Sequence, residues 1–325
     1  MLEENMLPDQ HVCSRILSVC STNGYLKEGM RLQSLAVENN LEVDAVMGNS
    51  LLSLYGKRGS LEDVKKLFYS IPEHDAVTWS VMIGAFSLHG NGDMVLQLYQ
   101  QMLIEGGLPD KITFLEVLSA CSDYTALNHG KQVHAHLITR FVDIDLVLGN
   151  GLINMYAKCG DLHTARKSFD TMLERDVSSW NAMISAYAQN GFCGYALHLF
   201  WQMKQVVVSP NSITLVSVLS ACSYGGMLYE SFYHFISMYL DHKIRPELEH
   251  YNNMIDVLGR IGTLDLAEIF IRNMPYQPTT ISWMIFLSSC KYQLDFQRAT
   301  EVACFVLELD SSNLAPSVVL TSIYT

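Results

Sequence analysis

The segment "LINMYAKCGDLHTARKSFDTMLERD" at residues 152–176 rewrites "LLSLYGKRGSLEDVKKLFYSIPEHD" at residues 51–75. Tyr, Lys, Gly, Phe and the final Asp fall in matching places, 101 residues apart. A single globular core has no use for such a recurrence. A stack of modules does, because each module faces a neighbour that resembles it. Extending the match outward sets module starts at Gln10, Ala45, Ala76, Lys111, Leu146, Val177, Ser212, Leu248 and Thr280. The spacings alternate between 31 and 36 residues, so the 101-residue recurrence spans three module types. The expected modules are 10–44, 45–75, 76–110, 111–145, 146–176, 177–211, 212–247, 248–279 and 280–313. Residues 1–9 end in "LPD", like 108–110, and read as the tail of one more module; residues 314–325 read as the start of another.

The fifteenth position of a module is Gly24, Gly59, Gly90, Gly160, Gly191, Gly226 or Gly262, with Thr125 and Leu294 departing from the pattern. Gly between two apolar-periodic runs marks a helix C-cap or the turn of a helical hairpin. "WNAMISAYA" before the turn and "YALHLFWQM" after it both place apolar residues at helical spacing. Pro in "LPD", "SPN" and "RPE" stops the second helix. Each module is therefore predicted to be helix–turn–helix, and the chain an all-α, right-handed superhelical α-solenoid. Small residues at the twentieth position (Gly29, Gly130, Ala165, Ala196, Ala267, Ala299) suit close approach of the two helices. Cys20, Cys121, Cys222 and Cys290 recur one per module at the eleventh position. A module apart, they cannot share an ion, and they read as small buried packing residues.

Composition narrows the function classes. Hydrophobic residues at 49% against 17% charged exclude a disordered chain. No apolar run reaches 18 residues, so no membrane span is expected. The opening "MLEENMLPDQ" has neither a basic n-region nor an apolar h-region, so the chain is expected to lack a targeting peptide or to be a fragment. Eight cysteines without a CxxC predict free, mostly buried thiols in a reduced compartment. There is no Gly-rich phosphate loop, no GxSxG and no HExxH. His134 and His136 form an HxH, but i and i+2 point to different helix faces. No catalytic residue, metal ligand or cofactor is assigned, and no enzyme is expected. The net charge of −12 argues against a nonspecific nucleic-acid binder, which carries a basic patch.

One feature exceeds what a plain stack of helices needs. The fifth position carries Ser14, Asn49, Ser80, Asn150, Asn181 and Asn252, and the last position Asp44, Asp75, Asp110, Asp176, Asn211 and Thr279. Asn is a poor helix former that competes for backbone hydrogen bonds, so its recurrence needs a reason. A structural reason is that Asn ties one module to the next while Asp caps the following helix. A functional reason is a row of hydrogen-bonding edges, one per module, meeting a polymer with one base per repeat. The two coexist. Val46, Val77, Ile112 and Val147 at the second position would flank base planes, a sequence-tolerant contact. Lys57 and Lys158 at the thirteenth would reach phosphates, partly answering the acidic total; binding would be weaker and more salt-sensitive than that of a basic array.

These residues resemble the pentatricopeptide repeat proteins of land plants, in the subclass with alternating P, L and S modules. "DVSSWNAMISAYAQNG" (176–191) and "GNGLINMYAKCGDLHTARKSFD" (149–170) resemble P and S signatures, and "ITFLEVLSACSDYTALNHGKQVHAHLI" (112–138) an L signature. "EHYNNMIDVLGRIGTLDLAEIFIRNMP" (249–275) resembles the last S module before the tail. "TISWMIFLSSCKYQLDFQRATEVACFVLELDSSN" (280–313) resembles the E1 extension motif, and "APSVVLTSIYT" (315–325) the opening of E2. The resemblance implies binding of single-stranded organellar RNA in a mitochondrion or chloroplast, with the fifth and last residues of P and S modules selecting the base. Asn49/Asp75 and Asn150/Asp176 resemble uridine pairs, Ser80/Asp110 a guanosine pair, Asn181/Asn211 and Asn252/Thr279 pyrimidine pairs, and Ser14/Asp44 a guanosine pair. Leu115/Asp145 and Val216/Glu247 in L modules offer no fifth-position edge. The implied element, running 5′ to 3′ with the chain, is (G/N)-U-G-N-U-Y-N-Y.

Relatives with such a tail specify sites of C-to-U RNA editing. The deaminase signature needs HxE and CxxC, and neither is present. The resemblance thus implies an address-reading part, with editing cofactor proteins or a deaminase acting in trans. A peptide-binding helical-repeat scaffold and a non-functional gene fragment remain as alternatives at this point.

Overall fold

The computed structural model describes residues 10–38, 45–58, 60–140, 144–309 and 315–324. The expected module tail at 1–9, Asp44, Gly59 and residue 314 lie outside the described residues. Nineteen helices and no strand occur among the described residues. Chain contacts divide into two units, residues 1–168 and 169–325.

In the first unit the helices are α1 (Gln10–Asn23), α2 (Leu26–Glu38), α3 (Ala45–Arg58), α4 (Leu61–Ser70), α5 (Ala76–Leu88), α6 (Gly92–Ile104), α7 (Lys111–Asp123), α8 (Leu127–Arg140) and α9 (Leu146–Lys158). Helix α10 (Leu162–Thr171) runs over the boundary. The second unit holds α11 (Val177–Gln189), α12 (Cys193–Gln205), α13 (Ser212–Tyr224), α14 (Leu228–Leu240), α15 (Leu248–Arg260), α16 (Leu264–Asn273), α17 (Thr280–Tyr292), α18 (Phe296–Leu309) and α19 (Ala315–Tyr324).

Each unit repeats one packing rule. The odd-numbered helices stack in order, α1 on α3 on α5 on α7 on α9, and α11 on α13 on α15 on α17. Within the units, α2, α4, α6, α8, α12, α14, α16 and α18 each pack on the helix before and the helix after. The sequence explains the division of labour. An odd helix such as α5 ("AVTWSVMIGAFSL") is apolar around most of its circumference, and Trp79, Met82, Ile83 and Phe86 are all buried. An even helix such as α4 ("LEDVKKLFYS") is amphipathic, burying Val64 and Phe68 while Glu62 and Lys66 face solvent. Odd helices are therefore sandwiched in the stack and even helices cover it.

The hairpin turn is the same structure each time. Gly24, Gly90, Gly160, Gly191, Gly226 and Gly262 sit at φ between 62° and 87°. This left-handed C-cap lets the following N–H close back on the fifth carbonyl before it, as in Asn91 to Phe86 at 3.0 Å and Thr263 to Leu258 at 3.0 Å. At Cys20, Cys121, Cys222 and Cys290 that carbonyl belongs to the cysteine itself, and all four side chains are buried. Burial pushes the Cys121, Cys222 and Cys290 thiols up to about 12, consistent with inert packing residues. Thr125 and Leu294 occupy the same left-handed position at φ 50° and 60° without being glycine. Val207 does so at φ 61° after α12, where the chain after α6 has Gly106.

Candidate nucleic-acid interface

The site is built at the N-termini of the odd helices. Residues Asp75, Asp110, Asp145, Asp176, Asn211 and Thr279 each precede an odd helix in extended backbone and accept from its third N–H. Such a cap satisfies a donor that the helix cannot pair internally. The bonds are tight, with Thr78 N–H donating to Asp75 at 2.7 Å and Thr113 N–H to Asp110 at 2.8 Å.

The fifth-position side chain of the preceding hairpin converges on the same oxygen. Asn49 Nδ2 donates to Asp75 Oδ1 at 3.5 Å, Ser80 Oγ to Asp110 Oδ1 at 2.8 Å, and Asn181 Nδ2 to Asn211 Oδ1 at 3.1 Å. Three of the expected pairs are thus brought together. Asn252 and Thr279 make no hydrogen bond to each other; the Thr279 hydroxyl accepts from Ser282 N–H at 3.4 Å. Asn150 belongs to the first unit and Asp176 to the second. Ser14 is buried in α1, and its expected partner Asp44 is outside the described residues.

A third member of each cluster escaped the reading of the sequence. Thr113 Oγ1 lies 2.8 Å from Asp110 Oδ1 and 2.9 Å from Ser80 Oγ. Thr214 Oγ1 donates to Asn181 Oδ1 at 2.6 Å. The signal was present: Thr78, Thr113, Ser179, Thr214 and Ser282 put a hydroxyl at the third position of five modules. After Asn49, Asn150 and Asn252 the following hydroxyl turns to the cap instead: Thr78 donates to Asp75 at 2.8 Å, Ser179 to Asp176 at 2.9 Å, and Ser282 meets Thr279 at 3.3 Å. Oδ1 of Asn49, Asn150 and Asn252 is buried without a hydrogen-bond partner.

The hairpins with an apolar fifth residue are wired differently. Where Leu115 and Val216 stand, the capping acid is engaged by the first residue of its own hairpin. Lys111 pairs with Asp145, and Ser212 Oγ donates to Glu247 Oε2 at 3.0 Å.

Burial pushes the Asp75 carboxyl up, but donation from the Thr78 N–H and hydroxyl and from Asn49 outweighs it, so Asp75 lies below the ordinary carboxylate value. Asp145 is also lowered: burial opposes, while Leu148 N–H and Lys111 prevail.

The second-position residues Val46, Val77, Ile112 and Val147 are all exposed, as are Ile213 and Ile281, giving apolar side chains 50–66% accessible in six hairpins. Exposed aliphatic side chains beside a capped helix end are available walls for a flat ligand. Lys57 is exposed. Lys158 donates to Asp123 at 2.9 Å, both about half exposed, a surface pair weak enough for another anion to compete. His134 and His136 turn to different neighbours, the Tyr156 hydroxyl at 2.9 Å and the Tyr99 hydroxyl at 3.0 Å, as their i, i+2 spacing requires.

Stacked helical hairpins with a polar cluster at every other helix start define an all-α solenoid repeat protein. Residues 49–75, 77–107, 150–177 and 249–276 match the PPR repeat model, and residues 175–223 match a PPR repeat family model. A mitochondrial pentatricopeptide repeat-containing protein of Arabidopsis thaliana is 36% identical over 100% of this chain and 51% of its own length. A second mitochondrial one is 38% identical over 85% of this chain and 49% of its own length. A chloroplastic one is 32% identical over 100% and 44%. The chain spans about half the length of the curated relatives it matches. The crystal structure of the pentatricopeptide repeat protein PPR10 in complex with an 18-nt psaJ RNA element superposes with a TM-score of 0.64 at 17% identity, over 100% of this chain and 54% of that one. The chain belongs to the pentatricopeptide repeat family.

Proposed function

We propose that this chain binds single-stranded RNA and selects its sequence, one nucleotide per hairpin. The observation that carries the reading is the cluster joining fifth residue to cap. It fixes a polar edge at Asn49/Asp75, Ser80/Asp110 and Asn181/Asn211, and the amide oxygens of Asn49, Asn150 and Asn252 are buried and unpaired. An orphaned acceptor costs stability unless a donor arrives, and a uracil or cytosine edge supplies one. PPR10, of like fold, was crystallised with an RNA element.

In this reading the selecting pairs are Ser14/Asp44, Asn49/Asp75, Ser80/Asp110, Asn150/Asp176, Asn181/Asn211 and Asn252/Thr279. Val46, Val77, Ile112 and Val147 flank the bases, and Lys57 and Lys158 meet phosphates. The modules alternate in P, L and S types and end in E1 and the start of E2. The chain supplies the address for an RNA-processing step, C-to-U editing being the favoured one, in a mitochondrion or chloroplast. Catalysis comes from another protein or domain. Relatives named for both organelles support the location.

The test is a titration with 5′-GUGAUCAC-3′ at two salt concentrations, against an RNA whose two uridines are adenosines. About 1 kcal/mol or more of discrimination per swapped base supports the reading. Equal, weak, salt-sensitive binding to both removes it.

A further inference from the structure

The second unit contains a polar cavity that the fifth-position row does not use. It encloses 440 Å³, within the roughly 300–1,000 Å³ usual for ligand sites. Its lining includes Tyr224, Arg260 and Tyr292, which are the last residues of α13, α15 and α17, together with Asp256, Ser223 and Ser288. On α15, Arg260 lies eight residues beyond Asn252, about 12 Å along the helix axis, so the cavity sits at the opposite end of the odd helices from the caps.

The cavity is held in shape. Arg260 Nε donates to Asp256 Oδ2 at 2.8 Å, and its guanidinium carbon lies 5.0 Å from the Tyr224 ring centroid. Ser223 Oγ donates to the same Asp256 oxygen. Gln293 Nε2 donates to the carbonyls of Gly259 at 3.1 Å and Arg260 at 3.0 Å, tying the end of α15 to the next hairpin. A Cβ on Gly259 would sit 2.0 Å from Ser289 Oγ, so only glycine admits this approach of α17.

The chemistry selects a ligand class. Arg260 and Asp256 cancel in charge, so a phosphate alone gains little. What remains is a guanidinium plane already stacked on one ring, a second ring at Tyr292 that is 75% exposed, and a carboxylate whose Oδ1 makes no hydrogen bond. Planar bases stack on aromatic rings and on guanidinium planes, and a carboxylate accepts from an exocyclic amine. The corresponding thirteenth positions of the first unit are Thr22, Lys57, Leu88, Asp123 and Lys158, which offer no ring.

We propose that this cavity captures one nucleobase bearing an exocyclic amine from the 3′ flank of the bound RNA. The proposal rests on the RNA reading above, with RNA running 5′ to 3′ along the chain. Uracil, which has no amine, is the disfavoured base.

The test uses the whole 325-residue chain and 5′-GUGAUCAC-3′ extended at its 3′ end by four cytidines or four uridines. The cytidine tail is expected to bind about tenfold tighter than the uridine tail, the scale of one stacked and hydrogen-bonded base. Tyr292→Ala, at an exposed position, reduces both tails to the affinity of the unextended RNA. Asp256→Asn removes the preference for cytidine and keeps the stacking gain. In parallel, saturation-transfer NMR with cytidine and uridine monophosphates shows stronger transfer to the cytosine ring, lost in Tyr292→Ala. Equal affinity for the two tails, with equal transfer to the two nucleotides, overturns the proposal. Failure of the RNA reading looks different: the unextended RNA and its uridine-swapped control bind alike, while cytidine monophosphate still outcompetes uridine monophosphate.

Discussion

The Ser80 hydroxyl lies 2.8 Å from Asp110 Oδ1, the oxygen that also accepts from the N–H of Thr113 at 2.8 Å. One carboxylate oxygen thus caps α7 and anchors the polar side chain of the hairpin before it. Removing the two jobs separately is possible. Asp110→Ala loses the cap and should lower stability by about 1–2 kcal/mol in urea unfolding. Asp110→Asn keeps an acceptor for the cap, should leave stability within about 0.5 kcal/mol, and should change base preference at the third position of the element. Equal destabilisation by both substitutions would contradict the division.

Four non-glycine residues among those described occupy left-handed backbone: Thr125, Val207, Lys243 and Leu294. A Cβ in that conformation costs roughly 1–2 kcal/mol, partly offset by the extra freedom glycine has when unfolded. Thr125→Gly, Val207→Gly and Leu294→Gly should each therefore stabilise by about 0.5–1 kcal/mol. Val207→Gly should gain most, because the residue is β-branched and 87% exposed, so little packing is lost. Gly160→Ala, at φ 80°, should shift the unfolding midpoint the other way.

His234 on α14 is 3% exposed among Phe200, Trp201 and Tyr233, and its Nδ1 is buried without a partner. Burial lowers its pKa from 6.5 to about 4; Lys204 and His242 push the same way and Glu230 opposes them. The unfolded chain therefore takes up a proton near pH 6.5 that the folded chain refuses until about pH 4. Stability should fall as pH drops through that window, by up to about 3 kcal/mol. His134 and His242, also lowered, add in the same direction. His234→Leu should flatten the profile between those limits. The capping carboxylates Asp75 and Asp145, lowered from 3.8, lose their contribution only at more acidic pH. A profile that stays unchanged in His234→Leu would remove this residue as the cause.

Lys158 is engaged with Asp123 only as a half-exposed surface pair. Lys158→Ala should change stability by less than about 1 kcal/mol. On the proposed RNA reading it should also weaken binding evenly across sequences and reduce the salt slope by about one. A sequence-dependent loss would place Lys158 at a base instead of a phosphate.

The double substitution Asn150→Thr with Asp176→Asn addresses the pair that falls in two units. It should move preference at the fifth position of the element from uridine toward adenosine, read by competition between two RNAs differing at that base. No change in preference would take Asn150 out of the selecting row.

The helical hairpin was legible along the chain because its causes are local. Apolar spacing within "WNAMISAYA" and a left-handed turn at Gly191 act over a few residues, so any reader of the sequence meets them together. Even the departures at Thr125 and Leu294 stood out, although only the backbone shows that both adopt the glycine conformation. The polar column of Asn49, Ser80 and Asn181 and its pairing with Asp75, Asp110 and Asn211 were legible as well, but the hydroxyl that joins it from the next hairpin was not. Ser80 meets Thr113, Lys158 meets Asp123, and Arg260 meets Tyr224 at separations of 33 to 36 residues. Those meetings depend on how far one hairpin is rotated on the next. That rotation follows from packing of whole helix faces, such as Gly259 against Ser289, and no local run of residues encodes it.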